Sequence, residues 1–202
     1  MKKFKTAFLS TFLTTALMML FSISAYAAQA SVSIEPNAVN VPQDLVQELA
    51  AEYPDAHITI TGYKEADPAI TPRIWWFDLT EKKTTQSDVE AKDSFVISVA
   101  RGGTKTLSKT WTGSLSPTCS YKNAQNSLSL NATITRTYSK TEKFEGPSNS
   151  SSYNSREFRV KFYEDRGTFK GQYVSDAGDS QQKSGTWKSP TKFLEYSVDR
   201  NV

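Results

Sequence analysis

Few residues in this sequence could carry chemistry. The chain holds one imidazole, His57, and one thiol, Cys119, and a Ser/His or Cys/His nucleophile would have to route its proton through that single imidazole. His57 opens the run His57-Ile58-Thr59-Ile60-Thr61, where a structural or solvent-facing role is expected. One His and one Cys cannot supply a His/Cys zinc site or an intrachain disulfide. The acid pairs Glu65/Asp67 and Glu142/Glu145 could in principle act as acid and base on a glycosidic bond. Nothing around them marks a site, and 21 acids produce such pairs by chance. No catalytic residue, metal or cofactor is therefore assigned, and a non-enzymatic protein is expected.

Binding chemistry is better represented. Trp75 and Trp76 are adjacent in Arg73-Ile74-Trp75-Trp76-Phe77-Asp78-Leu79. Successive strand residues point to opposite faces, so a one-sided sheet would expose one of the two rings, and a strand covered on both faces would bury both. An exposed indole face can stack on a sugar ring. Trp111 is a third candidate anchor, and Lys105, Lys109, Arg136 and Lys140 are candidate contacts to an anionic partner. Cys119, unpaired within the chain, is either a free thiol or a bridge between two chains.

The charge of the whole chain misleads. Lys2, Lys3 and Lys5 precede a mostly apolar stretch from Ala7 to Ile23 and the small-residue signal Ala25-Tyr26-Ala27, the pattern of a secretory signal peptide over residues 1–27. A retained anchor is the alternative, but the stretch is broken by Ser10, Thr11, Thr14 and Thr15, and a membrane span needs about 20 apolar residues. Cleavage takes three of the 24 bases and no acid, leaving 21 bases against 21 acids. The overall basicity that would suggest a nucleic-acid partner disappears with the leader. What remains is an asymmetry. Ala28–Asp93 holds 12 acids and 5 bases, and Ser94–Val202 holds 9 acids and 16 bases. Either the two parts pack together, or a basic face meets an anionic wall polymer or lipid headgroup. We accordingly divide the chain into the leader, an acidic helix–strand part (28–93) and a basic antiparallel β part (94–202).

The elements that would position these residues follow from periodicity. Leu45, Val46, Leu49 and Tyr53 recur at helical spacing after Asn40 and Pro42, Gln43 stands where a capping box needs it, and Pro54 stops the helix. The alternating run from His57 reads as a strand, and the polar residues Thr80–Lys92 as a linker or surface excursion. From Ser94 alternation dominates. Gly102-Gly103 marks a turn. Arg156–Tyr163 reads as a strand, Glu164–Gly167 as a turn, Thr168–Val174 as the return, Ser175–Ser184 as polar connection and Phe193–Val198 as the last strand.

The longest alternation lies between. Every even position from Thr104 to Ser114 carries a hydroxyl, and every odd position from Ser127 to Thr141 a hydroxyl or amide. Two strands joined by a tip containing Pro117 and Cys119 make a long hairpin with one hydroxyl face. This pattern, over Thr104–Lys143, resembles the insertion stems of aerolysin-type β-pore-forming proteins. The resemblance covers about a fifth of the chain and implies hydroxyls toward a lumen and the other face toward lipid. That other face carries Lys105, Lys109, Arg136 and Lys140, each costing about 2 to 4 kcal/mol near a bilayer midplane. A soluble sheet with one wet face of Ser and Thr also explains the pattern.

The fold class expected is mostly β within α+β: an antiparallel sandwich or long twisted sheet with one short N-terminal helix. The function expected is that of a secreted protein binding at the cell envelope or an extracellular surface. Its partner would be an anionic cell-surface polymer, a glycan or a protein, with peripheral membrane contact as a further mode and nucleic acid excluded. A membrane-active β-hairpin protein is the alternative.

Overall fold

The computed structural model describes residues 30–68, 77–175 and 177–202. The residues expected to form a secretory leader and both Trp75 and Trp76 lie outside the described residues. Among the described residues the chain is mostly β with one short helix, as the alternation implies, and the sheets do not close into a barrel. In chain order the elements are β1 (Ser31–Ile34), α1 (Gln43–Glu52), β2 (His57–Glu65), β3 (Phe77–Ala100), β4 (Thr104–Thr106), β5 (Trp111–Leu115), β6 (Thr118–Cys119), a 3-10 turn (Lys122–Ala124), β7 (Ile134–Tyr138), β8 (Lys143–Glu145), β9 (Ser155–Val174) and β10 (Ser180–Arg200).

The main sheet runs β1-β2-β10-β9-β3, with β6 on β10 where β2 has ended. Among the described residues only the β1–β2 pair is parallel. Strands β3, β9 and β10 have 24, 20 and 21 residues, which at about 3.3 Å per residue span about 65 to 80 Å before twist. β3 runs across position 93, so the acidic and basic parts share one sheet.

Two expected connections are strand instead. Thr80–Lys92, expected as a linker, pairs with β9 along its length. Its register slips at four places, between Leu79/Glu81, Thr84/Gln86, Gln86/Val89 and Glu90/Lys92, and β3 slips once more between Phe95/Ile97. Each bulge resets the two-residue period, so no alternation survives to be read. The charges along this segment suit an edge strand that must not recruit another chain. Glu164–Gly167, expected as a turn, lies inside β9. Glu164 is paired by Arg166 and Lys188, and Gly167 lies against the Trp187 ring, where a β-carbon would come within 2.4 Å of Cζ2. The polar Ser175–Ser184 stretch supplies the turn to β10, closed by Ser175 N–H donating to Asp179 O, with Gly178 at φ +84°; strand resumes at Ser180.

Helix α1 also begins differently from expectation. Pro42 is its extended N-terminal cap, with no side-chain capping bond, and Asn40 takes a left-handed φ of +59°. The Asn40/Gln43 capping box does not form.

Residues directly paired across antiparallel strands share a face, and register sorts the sheet into two faces and two halves. Toward the chain's C-terminus, one face buries Tyr163, Leu194, Tyr196 and Val198 beneath Leu45 and Leu49 of α1. The opposite face buries Val160, Phe162 and Phe193 beneath Ile134, Tyr138 and Phe144, with Trp111 and Leu115 alongside. In the distal half, Phe77, Phe169 and Trp187 lie on the α1 side and are covered by Ala124, Leu128 and Leu130. The insert between β3 and β9 thus starts on one face, passes the β10 edge through β6, and tucks its tip onto the other face. Among the described residues, none packs over the distal half of the hairpin-side face.

Candidate functional site

The insert keeps a single register throughout. Thr104 pairs with Glu145, Thr106 with Lys143, Trp111 with Tyr138 and Leu115 with Ile134, one continuous series interrupted at 107–110 and 139–142. The expected hairpin is present, but shorter and broken. Ser127–Thr133 is not strand: Ser129 turns at φ +47°, and Asn131 is held by Ser189 Oγ (2.8 Å) and Pro190 O (2.7 Å). The reason is packing, since Leu128 and Leu130 must cross the edge to reach Phe169 and Trp187.

The hydroxyl face is wet where the strands exist. Thr112, Ser114, Thr135 and Thr137 are exposed, and Thr112 and Thr137 lie 3.3 Å apart at their hydroxyls. Ile134 and Tyr138 are buried on the other face.

The four predicted cations separate into two kinds. Lys105, Lys109 and Lys140 are exposed, and among the described residues none lies within ion-pair distance of a carboxylate. Lys105 donates to Ser98 O at 3.0 Å. They occupy the segments around the break in the hairpin. Arg136 instead is half-buried beneath the hairpin. Its Nε lies 2.8 Å from Glu195 Oε1, an ion pair without aligned N–H···O geometry, and its Nη2 3.8 Å from Glu142. Tyr138 OH donates to the other Glu195 oxygen at 2.7 Å. Gly62 on β2 makes room for this carboxylate, since a β-carbon there would come within 2.7 Å of Oε1. Burial would lower the Arg136 pKa, but Glu195 outweighs it and raises it; burial and then Glu195 raise that of Tyr138. Glu195 is therefore a latch between β10 and the hairpin. Trp111, the predicted anchor, is half-buried with its ring against Tyr138 (5.6 Å between centroids) and close to the Gly113 backbone.

The remaining candidates are engaged elsewhere. Ser31 Oγ lies 2.7 Å from His57 Nδ1. Glu65 accepts from Tyr63 OH at 3.0 Å, and Asp67 lies 3.6 Å from Lys64. Cys119, in β6, donates to Tyr121 O at 3.2 Å; burial pushes its thiol pKa up, against that hydrogen bond.

Glu48, Glu52 and Glu90 converge closely enough to suggest a metal site, but the cation among them is Lys161. Its buried Nζ lies 3.4 Å from Glu48 and 3.0 Å from Glu90 and bonds Glu52 as well. Asp93 likewise receives Arg159 and the Tyr196 hydroxyl on one oxygen. With Lys170–Glu81 and Lys192–Asp88, these pairs join acids of 28–93 to bases of 94–202. Neither Glu195 nor Lys161 was marked by sequence, because each acts through partners brought from distant strands. No protein-family model, curated protein or solved structure matches this chain.

Proposed function

We propose that this chain is an exported, non-enzymatic protein that acts by binding an anionic polymer or surface at the cell envelope or outside the cell. The observation that carries this is the sorting of its cations. Many basic residues of the C-terminal part are spent on internal ion pairs, whereas Lys105, Lys109 and Lys140 stand exposed on the hairpin without a carboxylate partner among the described residues. Their long stems let the ammonium groups adapt to a disordered array of phosphates or carboxylates. Near an anionic surface each lysine contributes about 1 kcal/mol, so replacing all three by Gln should weaken binding about a hundredfold. Retention on anionic cell-wall material, measured for wild type and triple variant at low and high salt, tests this. Equal retention of both proteins would contradict it. Glycan contact through Trp75 or Trp76 is a separate component, expected to be lost in Trp75→Ala or Trp76→Ala.

A membrane-active hairpin is the second proposal, favoured by one observation. The insert joins neighbouring strands in one register, its hydroxyls outward and its apolar residues against the sheet. Against insertion stand Arg136, tied beneath the hairpin, and the tip, anchored on the far face by Leu128 and Leu130. Dye release from liposomes by the mature chain would favour insertion over peripheral binding.

A further inference from the structure

The hairpin-side face of the distal half holds a groove of about 450 Å³ whose walls include Thr118, Ser120, Arg166, Thr168, Thr186 and Lys188. The register lays out its floor. Thr118, Lys188 and Arg166 form one row across β6, β10 and β9, with Thr186 and Thr168 in the next. These rows face away from Trp187's covered side, because neighbouring strand positions alternate.

The charge arrangement is unequal. Glu164, with 3% of its side chain exposed, has its Oε1 2.6 Å from Arg166 Nε and 3.3 Å from Lys188 Nζ. Two cations on one carboxylate leave a surplus positive charge at the groove. Arg166 bonds Glu164 through Nε, which orients the guanidinium and leaves its terminal nitrogens as a planar pair of donors. Ser120 Oγ accepts the Thr186 N–H at 2.9 Å, which ties the residue after β6 to β10 at one end of the groove. An oriented guanidinium beside an ammonium, over a floor of hydroxyls, matches an oxyanion flanked by hydroxyl groups. The volume is that of sites for small organic ligands, about 300 to 1,000 Å³.

We propose that this groove binds an oxyanion carried on a hydroxylated chain, the repeating chemistry of an acidic polysaccharide or a polyol phosphate. It rests on the envelope-binding function above and supplies the site that grips one unit of the polymer, while the hairpin lysines attract the polymer at longer range. Arg166 and Lys188 take the oxyanion, and Thr118, Thr168 and Thr186 take the hydroxyls.

The test is an amide-resolved NMR titration of the full mature chain with glucuronic acid, glycerol 1-phosphate and, as the neutral control, glucose. Amides of Thr118, Thr168 and Thr186 should shift with at least one acid and not with glucose. A response to glucuronic acid alone assigns the acidic saccharide, and a response to glycerol 1-phosphate alone assigns the polyol phosphate. Lys188→Gln should weaken binding about tenfold through one lost charged hydrogen bond. Arg166→Lys keeps a cation for buried Glu164 but loses the planar donor pair, and should weaken it similarly. No shift with either acid, or equal shifts with glucose, overturns the proposal. If the groove variants keep full affinity for the acids, the ligand sits elsewhere and the groove is refuted while envelope binding stands. If the groove binds an acid but the chain is not retained on envelope material, the envelope function fails and the groove survives as a small-anion site.

Discussion

At the scale of single residues, the hairpin depends on one carboxylate. Glu195 takes Arg136 and Tyr138 from β7 in space left by Gly62. Glu195→Gln keeps the shape and removes the charge, so a loss of about 1 to 3 kcal/mol is expected, read as a lower urea midpoint with faster proteolysis between 105 and 143; an unchanged midpoint would show that the latch is dispensable. Gly167→Ala should cost about 1 to 3 kcal/mol by overpacking, because the new methyl meets the Trp187 ring and the Lys83 carbonyl. The buried phenols predict an alkaline limit. Burial foremost, with Glu195 beside Tyr138 and Glu48 beside Tyr163, raises both pKa values, and burial with Tyr53 and Asp93 nearby raises that of Tyr196. Above about pH 10 the unfolded chain releases protons that the native chain keeps, so stability falls as pH rises. The urea midpoint should hold between pH 8 and 9 and drop above pH 10; a flat profile to pH 11 would contradict these environments. None of this was legible in the sequence, where Glu195 and Tyr138 are two unremarkable residues 57 positions apart.

At the scale of elements, legibility followed periodicity. The helix over 43–52 and the strand from His57 were readable because each buries one face under a regular period. The Thr80–Lys92 stretch of β3 was not, because four register slips erase its alternation and its exposed edge selects charge over apolar residues. That the two hairpin strands share one hydroxyl face was readable, but their register, with Leu115 opposite Ile134, and the diversion of Ser127–Thr133 were not. That segment's alternation matches a strand, and only the far-face pocket around Phe169 and Trp187 explains why Leu128 and Leu130 leave the ladder. Leu128→Ala should cost about 2 to 5 kcal/mol and expose Trp187, seen as a red-shifted emission; unchanged fluorescence would place the tip elsewhere. Lys161→Met tests the seat of α1. It leaves Glu48, Glu52 and Glu90 without their shared cation. Amide exchange in α1 should accelerate while β9 and β10 stay protected; uniform behaviour across the chain would deny the clamp.

At the scale of the whole molecule, half of the acids of 28–93 meet bases of 94–202, through Lys161, Arg159, Lys170 and Lys192. Exposed lysines remain on the hairpin, Lys105, Lys109 and Lys140 among them, and a cationic groove lies on the hairpin-side face. Residues 28–202 carry 21 bases against 21 acids, so attraction to anionic material is expected from local patches such as these and should weaken with salt over a Debye length of about 8 Å. Sedimentation of the mature chain with anionic and neutral vesicles, with dye release followed in the same tubes, tests this most directly. Salt-sensitive binding to anionic vesicles without release, lost in the Lys105, Lys109 and Lys140 triple Gln variant, is the predicted result. Equal binding to neutral vesicles, or retention that high salt and the triple substitution leave unchanged, would contradict the account.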